Sequence, residues 1–129
     1  MKAFAVAVLG LVAATAASAQ SIPGCKGSFE VIRMDSIKPG KMDAFKKAVA
    51  DHQAWYRAHG ANDRIILGRI VTPGAAPAYA EDQAMTIHVE TPNAKEPEHD
   101  AGWTAFVAEY KDSSTITSQT MACLEDAGK

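Results

Sequence analysis

The chain has 129 residues, with 13 lysines and arginines against 15 aspartates and glutamates, and a formal charge of −2. That length suits one domain with one core. The lack of a basic patch argues against nucleic acid or an anionic membrane as partner, and points to small molecules or protein.

The N-terminus carries Lys2, an apolar stretch from Ala3 to about Ala14, and a small-residue tract ending Ala17-Ser18-Ala19. This is the pattern of a secretory signal peptide, with cleavage expected between Ala19 and Gln20. An Ala-rich stretch with Gly10 inside and no basic stop after it would make a poor membrane anchor. The expectation is a leader over 1–19 and a single domain over 20–129, periplasmic or secreted. The only two cysteines, Cys25 and Cys123, lie near opposite ends of that domain. In an oxidising compartment, an even pair without a neighbouring ligand cluster is most simply a disulfide.

The first predicted strand is Phe29 to Ile37, rich in β-formers and stopped by Pro39-Gly40. A helix follows over about Lys41 to His59. Met42, Phe45, Val49, His52, Tyr56 and His59 recur on one stripe, flanked by Ala48 and Trp55, and Gly60 stands just past its end. Arg64 to Thr72 is a second strand, broken by Pro73-Gly74. The Ala- and Pro-rich stretch up to Gln83, with Tyr79 inside, is long for a hairpin loop and is a candidate flap. Ala84 to Thr91 alternates cleanly, with Met85, Ile87 and Val89 on one face and Thr86, His88 and Glu90 on the other. Asn93 to Asp100 is polar. Trp103, Phe106, Val107 and Tyr110 then share a helical face, giving a second helix over about Asp100 to Lys111. Ser113 to Leu124, Thr-rich and alternating, is the fourth strand.

The resulting order, β-α-β-β-α-β, is the α+β, ferredoxin-like arrangement with a four-stranded antiparallel sheet. In its usual strand order, 4-1-3-2, the end of strand four meets the start of strand one. Cys123 and Cys25 occupy those two ends.

At Ile37-Lys38-Pro39-Gly40-Lys41-Met42-Asp43-Ala44-Phe45, and again at Trp55-Tyr56-Arg57-Ala58-His59-Gly60, the chain resembles the dimeric α+β barrel superfamily, in its antibiotic-biosynthesis monooxygenase and NIPSNAP-like branches. The resemblance implies a homodimer in which two sheets meet face to face, with a pocket between sheet and helices. The superfamily spans cofactor-independent monooxygenases, isomerases, haem-handling enzymes and proteins without a known reaction, so the likeness implies a fold rather than a chemistry. Strand two gives an independent reason for a partner: Ile65, Leu67 and Val71 alternate with Ile66 and Ile70, leaving both of its faces apolar and in need of cover.

Several residues invite a chemical reading, each beside a plainer one. His52 is either a core histidine or a pocket acid/base or ligand. His59 either complements the helix C-terminal dipole or lines the pocket. With the apolar face of strand three under the helices, His88 would point into the space between two sheets; otherwise it is a solvated edge position. Arg69 could anchor a carboxylate or enolate, or simply reach outward as a surface arginine. Arg33 and Asp35 share a face and could pair. Trp55, Tyr56, Trp103 and Tyr110 are either core packing or an aromatic pocket. Glu98-His99-Asp100 reads as a solvated loop rather than a metal site, since no second pair has ligand spacing. No Gly-x-Ser-x-Gly elbow, phosphate loop or Cys-x-x-Cys is present.

The leading functional expectation is a homodimer that binds a small, partly aromatic ligand, with His52, Trp55, Tyr56, His59, Arg69, His88 and Trp103 around it and no cofactor. The alternatives are a monooxygenase- or isomerase-type enzyme, with His52 or His88 as base and Arg69 steadying the anion, and haem binding through His52, His59 or His88.

Overall fold

The computed structural model describes residues 23–125 and 128. The signal-peptide reading and its cleavage site lie outside them. The elements run β1 (Ser28–Ile37), α1 (Met42–Ala58), β2 (Arg64–Thr72), β3 (Ala78–Glu90), α2 (Ala101–Ser113) and β4 (Ser114–Leu124). They form one four-stranded antiparallel sheet in the order β2-β3-β1-β4, with both helices on one side. The expected ferredoxin-like order is therefore present. Among the described residues, no helix is long and apolar enough to cross a membrane.

Local chemistry fixes how α1 enters and leaves. The turn before it runs Lys38-Pro39-Gly40-Lys41, with the Lys41 N–H donating to the Lys38 carbonyl at 3.0 Å. Pro39 pre-sets the first central position, and Gly40 supplies the positive φ, 72°, that the second requires. At the other end Gly60 takes φ 69°. The Gly60 N–H then reaches the Arg57 carbonyl at 3.1 Å and the Ala61 N–H reaches that of Tyr56 at 3.0 Å. Those two bonds are a Schellman cap, which stops the helix at Ala58.

The face of α1 that carries Phe45, Val49, Trp55 and Tyr56 joins Ile37, Ile65, Ala84 and Phe106 in the core. Phe45 and Ala84 have no exposure at all. Ala84 is small enough to let α1 settle onto β3.

β3 is longer than predicted. It begins at Ala78 rather than Ala84, so most of the predicted flap is strand: Thr72 pairs with Ala78 and Val71 with Tyr79, across a register shift after Arg69. Which of its faces meets the helices, left open by the sequence, is also decided, and His88 takes neither of the two positions considered for it. Ala84 and Thr86 lie under the helices, with His88 beside Tyr56, while Met85, Ile87 and Val89 occupy the open side. On that open side Ile87 sits between Ile32 of β1 and Ile66 of β2, and Met85 beside Met34. His88 is tolerated on the inner face because Asp63 meets its Nε2 at 2.8 Å. The uncovered side of the sheet is accordingly a continuous apolar surface, with Ile66 39 % exposed.

β4 is the edge strand beyond β1, antiparallel to it, with Phe29 opposite Cys123. Cys25 and Cys123 form a disulfide, 5.8 Å between Cα atoms and 98 residues apart in sequence. Tying a loop of that length constrains the unfolded chain by up to about 4 to 5 kcal/mol. Disulfides of this structural kind persist in oxidising compartments.

Candidate functional site

α2 lies across the sheet from the side of β4. Between it and strands β1 and β4 there is a cleft of about 550 Å³, within the range of about 300–1,000 Å³ usual for small-molecule sites. One wall is aromatic and apolar, from Trp103, Phe106, Val107 and Tyr110 of α2. The floor is polar, from Arg33 and Asp35 of β1, Thr86 of β3 and Ser114 of β4. His52 of α1 closes the inner end, and Ile116, 54 % exposed, marks the outer lip.

Helical spacing creates the aromatic wall: Trp103, Phe106 and Tyr110 fall at steps of three and four, so they line one face of α2. The N-terminus of that helix is anchored by Asp100. Its carboxylate accepts from the Trp103 N–H at 3.0 Å, the Trp55 indole at 2.7 Å and His59 Nε2 at 3.0 Å. The Trp103 N–H first and the Trp55 indole next hold its carboxyl down to about 2. The predicted solvated loop thus supplies the cap that joins α2 to the end of α1. His99 stacks on Trp103 with ring centroids 3.6 Å apart.

His52 stands at the centre of an aromatic cage. Its ring stacks on Phe106 at 4.3 Å, with Tyr56 at 5.4 Å, Tyr110 at 5.8 Å, His88 at 5.9 Å and Trp103 at 6.0 Å. It is only 5 % exposed. Burial, reinforced by the electrostatic influence of neighbouring His88 and Arg33, pushes its pKa down to about 3, so the imidazole is neutral. Nδ1 lies 3.3 Å from the Tyr110 hydroxyl, and Nε2 has no partner among the described residues. A neutral imidazole has one N–H and one lone pair, so one hydrogen-bonding group is left over in either tautomer. Burial, with Asp35 nearby, also raises Tyr110, which keeps its hydroxyl.

Behind His52 a second layer is locked by hydrogen bonds. His88 Nε2 donates to Asp63 at 2.8 Å, and the other Asp63 oxygen accepts the Thr91 N–H at 3.0 Å. Burial alone would raise the Asp63 carboxyl, but these bonds outweigh it and hold it below its usual value. Gln53 fastens the same loop, donating to the Asp63 carbonyl at 3.0 Å and accepting from the Ile65 N–H at 2.8 Å. The Tyr56 hydroxyl donates to Glu96 at 2.9 Å.

Of the residues expected to surround a ligand, His52 and Trp103 line the cleft. Tyr56 and His88 lie directly behind them. Trp55 and His59 belong to the Asp100 junction, where His59 also reaches the Trp55 carbonyl through Nδ1 at 2.7 Å. Arg69 lies elsewhere: it pairs with Glu81 at 3.0 Å and covers the Tyr79 ring at 4.9 Å, on the β2–β3 arm.

The basic groups that do line the cleft are Lys111 and Arg33, and the Arg33 Nε–H donates to Gln119 at 2.8 Å. Its neighbour Asp35 accepts from the Ser114 hydroxyl at 3.0 Å, and burial raises its carboxyl against the opposing pull of that bond and of Arg33. The two were read as a possible pair and instead take separate partners on β4. The signal available in the sequence was their common face with Val31 and Ile37, which places all four on the helix side.

No group of three or more His, Cys, Asp or Glu residues able to hold a metal occurs among the described residues. Comparison with protein-family models, curated proteins and solved structures finds no match.

Proposed function

We propose that the protein binds a small, partly aromatic molecule in the cleft between α2 and the β1–β4 side of its sheet, as an exported homodimer joined through the open sheet face. The observation that carries the ligand reading is the cleft itself: an aromatic wall faces a polar floor, and His52 closes its inner end. Such a mixture of apolar walls and a few polar groups is what small-molecule sites use for affinity and orientation. The apolar stretch formed by Ile32, Met34, Ile66, Met85, Ile87 and Val89 supports the dimer, because a surface of this kind is stable in water only when covered.

Binding fits these side chains better than turnover does. A general base works best with a pKa near the working pH, and His52 at about 3 is far below it. His88 is committed to Asp63, and Arg69 lies outside the cleft. For haem, His59 has both ring nitrogens engaged, and His52 is covered on one face by Phe106.

A thermal-shift screen of small aromatic compounds, with saturated analogues of matched size, tests the reading. Aromatic members should raise the melting temperature; a ligand at 100 times its Kd stabilises by about 2.7 kcal/mol. Equal shifts from the saturated analogues, or none from any compound, would reject it.

A further inference from the structure

Resting on the reading that the cleft takes an aromatic ligand, we infer that this ligand is an aromatic carboxylate whose charge is received by Arg33. The argument starts from how Arg33 is held. Its Nε–H donates to Gln119 of β4 at 2.8 Å, and the residue lines the cleft. Among the described residues, the terminal N–H groups have no protein partner. A guanidinium held in this way keeps its end-on pair of donors free, and that pair matches the two oxygens of a carboxylate.

The surrounding charges point the same way. Arg33 and Lys111 contribute two cations to the lining, and Asp35 is the only carboxylate there. Asp35 accepts from the Ser114 hydroxyl and makes no hydrogen bond to Arg33; it feels the Arg33 charge but leaves the terminal N–H groups open to the cleft. A neutral aromatic ligand settling against Phe106 and Trp103 would strip water from Arg33 and return nothing to it, which is the costly half of burying a polar group. An anion on the ring replaces that water with a charge-assisted bond. The ligand chemistry therefore has two parts with separate receivers: a flat ring against α2 and a planar anion toward β1.

Titration calorimetry at neutral pH with 2-naphthoate and 2-naphthamide, which share ring and shape and differ in charge, tests this directly. The naphthoate should bind about tenfold or more tighter, the scale of one charge-assisted hydrogen bond. Arg33→Gln should remove that preference by weakening the naphthoate rather than by tightening the amide alone, and Arg33→Lys should retain part of it. Equal affinities for the two compounds in the unaltered protein would overturn the anion inference while leaving an aromatic site standing. Failure of both compounds to bind would overturn the aromatic-site reading along with it. A naphthoate preference that survives Arg33→Gln would overturn the role of Arg33. Because the first comparison uses the unaltered protein, it decides the matter even if a variant fails to fold.

Discussion

Replacing His52 with phenylalanine should make the protein less sensitive to acid. In the fold His52 titrates at about 3 against an ordinary 6.5, with burial as the main cause. Between those values the unfolded chain binds a proton that the folded chain refuses, so stability rises with pH across that window and falls as pH drops through it. At pH 5 the loss relative to neutral pH is about 2 kcal/mol, from about 1.36 kcal/mol for each pH unit below 6.5. For a domain of about 100 residues this is roughly 8 to 16 °C in melting temperature. Phenylalanine keeps the stack on Phe106 but cannot titrate. It forfeits the contact with the Tyr110 hydroxyl, a fixed offset of about 1 kcal/mol that does not vary with pH. Asp63 and Asp100, held below their usual range, lose their contribution only at lower pH; Asp35 and Glu90, raised by burial, act with the opposite sign. All four are common to both proteins and cancel in the comparison. Melting curves of the two proteins at pH 7, 6 and 5 should therefore diverge, with the variant flatter by about 2 kcal/mol at the acid end. Identical pH profiles would refute the claim that the folded state holds a neutral, buried imidazole.

Other outcomes follow from the same contacts. Cys25→Ser with Cys123→Ser should lower the denaturation free energy by about 2 to 5 kcal/mol, read from urea unfolding. The unaltered protein should be two hydrogens lighter before reduction than after it. Asp63→Asn, which removes the charged acceptor for His88 and the Thr91 N–H, should cost about 2 to 4 kcal/mol; a loss under about 0.5 kcal/mol would show that this layer is not structural. Ile87→Lys, placed between Ile32 and Ile66 on the open face, should give a monomer by light scattering where the unaltered protein gives twice the monomer mass. A monomer in both cases removes the proposed dimer.

The parts of the molecule that a sequence reveals well are those whose pattern has a single physical meaning. The 3.6-residue recurrence of Met42, Phe45, Val49, His52 and Tyr56, ended by Gly60, could only be a helix with one buried face, and the buried residues of α1 follow it. The strand order brought the two cysteines together for the same reason: few topologies place both ends of the chain side by side.

The face of β3 was ambiguous because the sheet has two apolar demands, one from the helices and one from its open side. Met85, Ile87 and Val89 satisfy the second, while His88 is made tolerable inside by Asp63, a loop residue whose partner no local pattern announces. The extension of β3 to Ala78 was equally hidden. Residues 78–83, Ala-Tyr-Ala-Glu-Asp-Gln, carry no strand periodicity of their own and join the sheet by pairing with β2, where Tyr79 and Glu81 meet Arg69. Arg33 escaped notice as a site residue because alternation places it on a face without saying that α2 leaves that part of the sheet open. Only the position of the helix converts a strand arginine into the floor of a cleft.

The central claim is that the cleft under α2 is where the protein meets an aromatic ligand. Amide and aromatic chemical-shift changes on adding 2-naphthoate to the isotope-labelled protein test it most directly. The account predicts that the largest changes fall on Arg33, His52, Thr86, Phe106, Tyr110 and Ile116, with Arg69 and the β2–β3 arm unmoved. Changes centred on the arm or on the open sheet face, or none at saturating ligand, would contradict it.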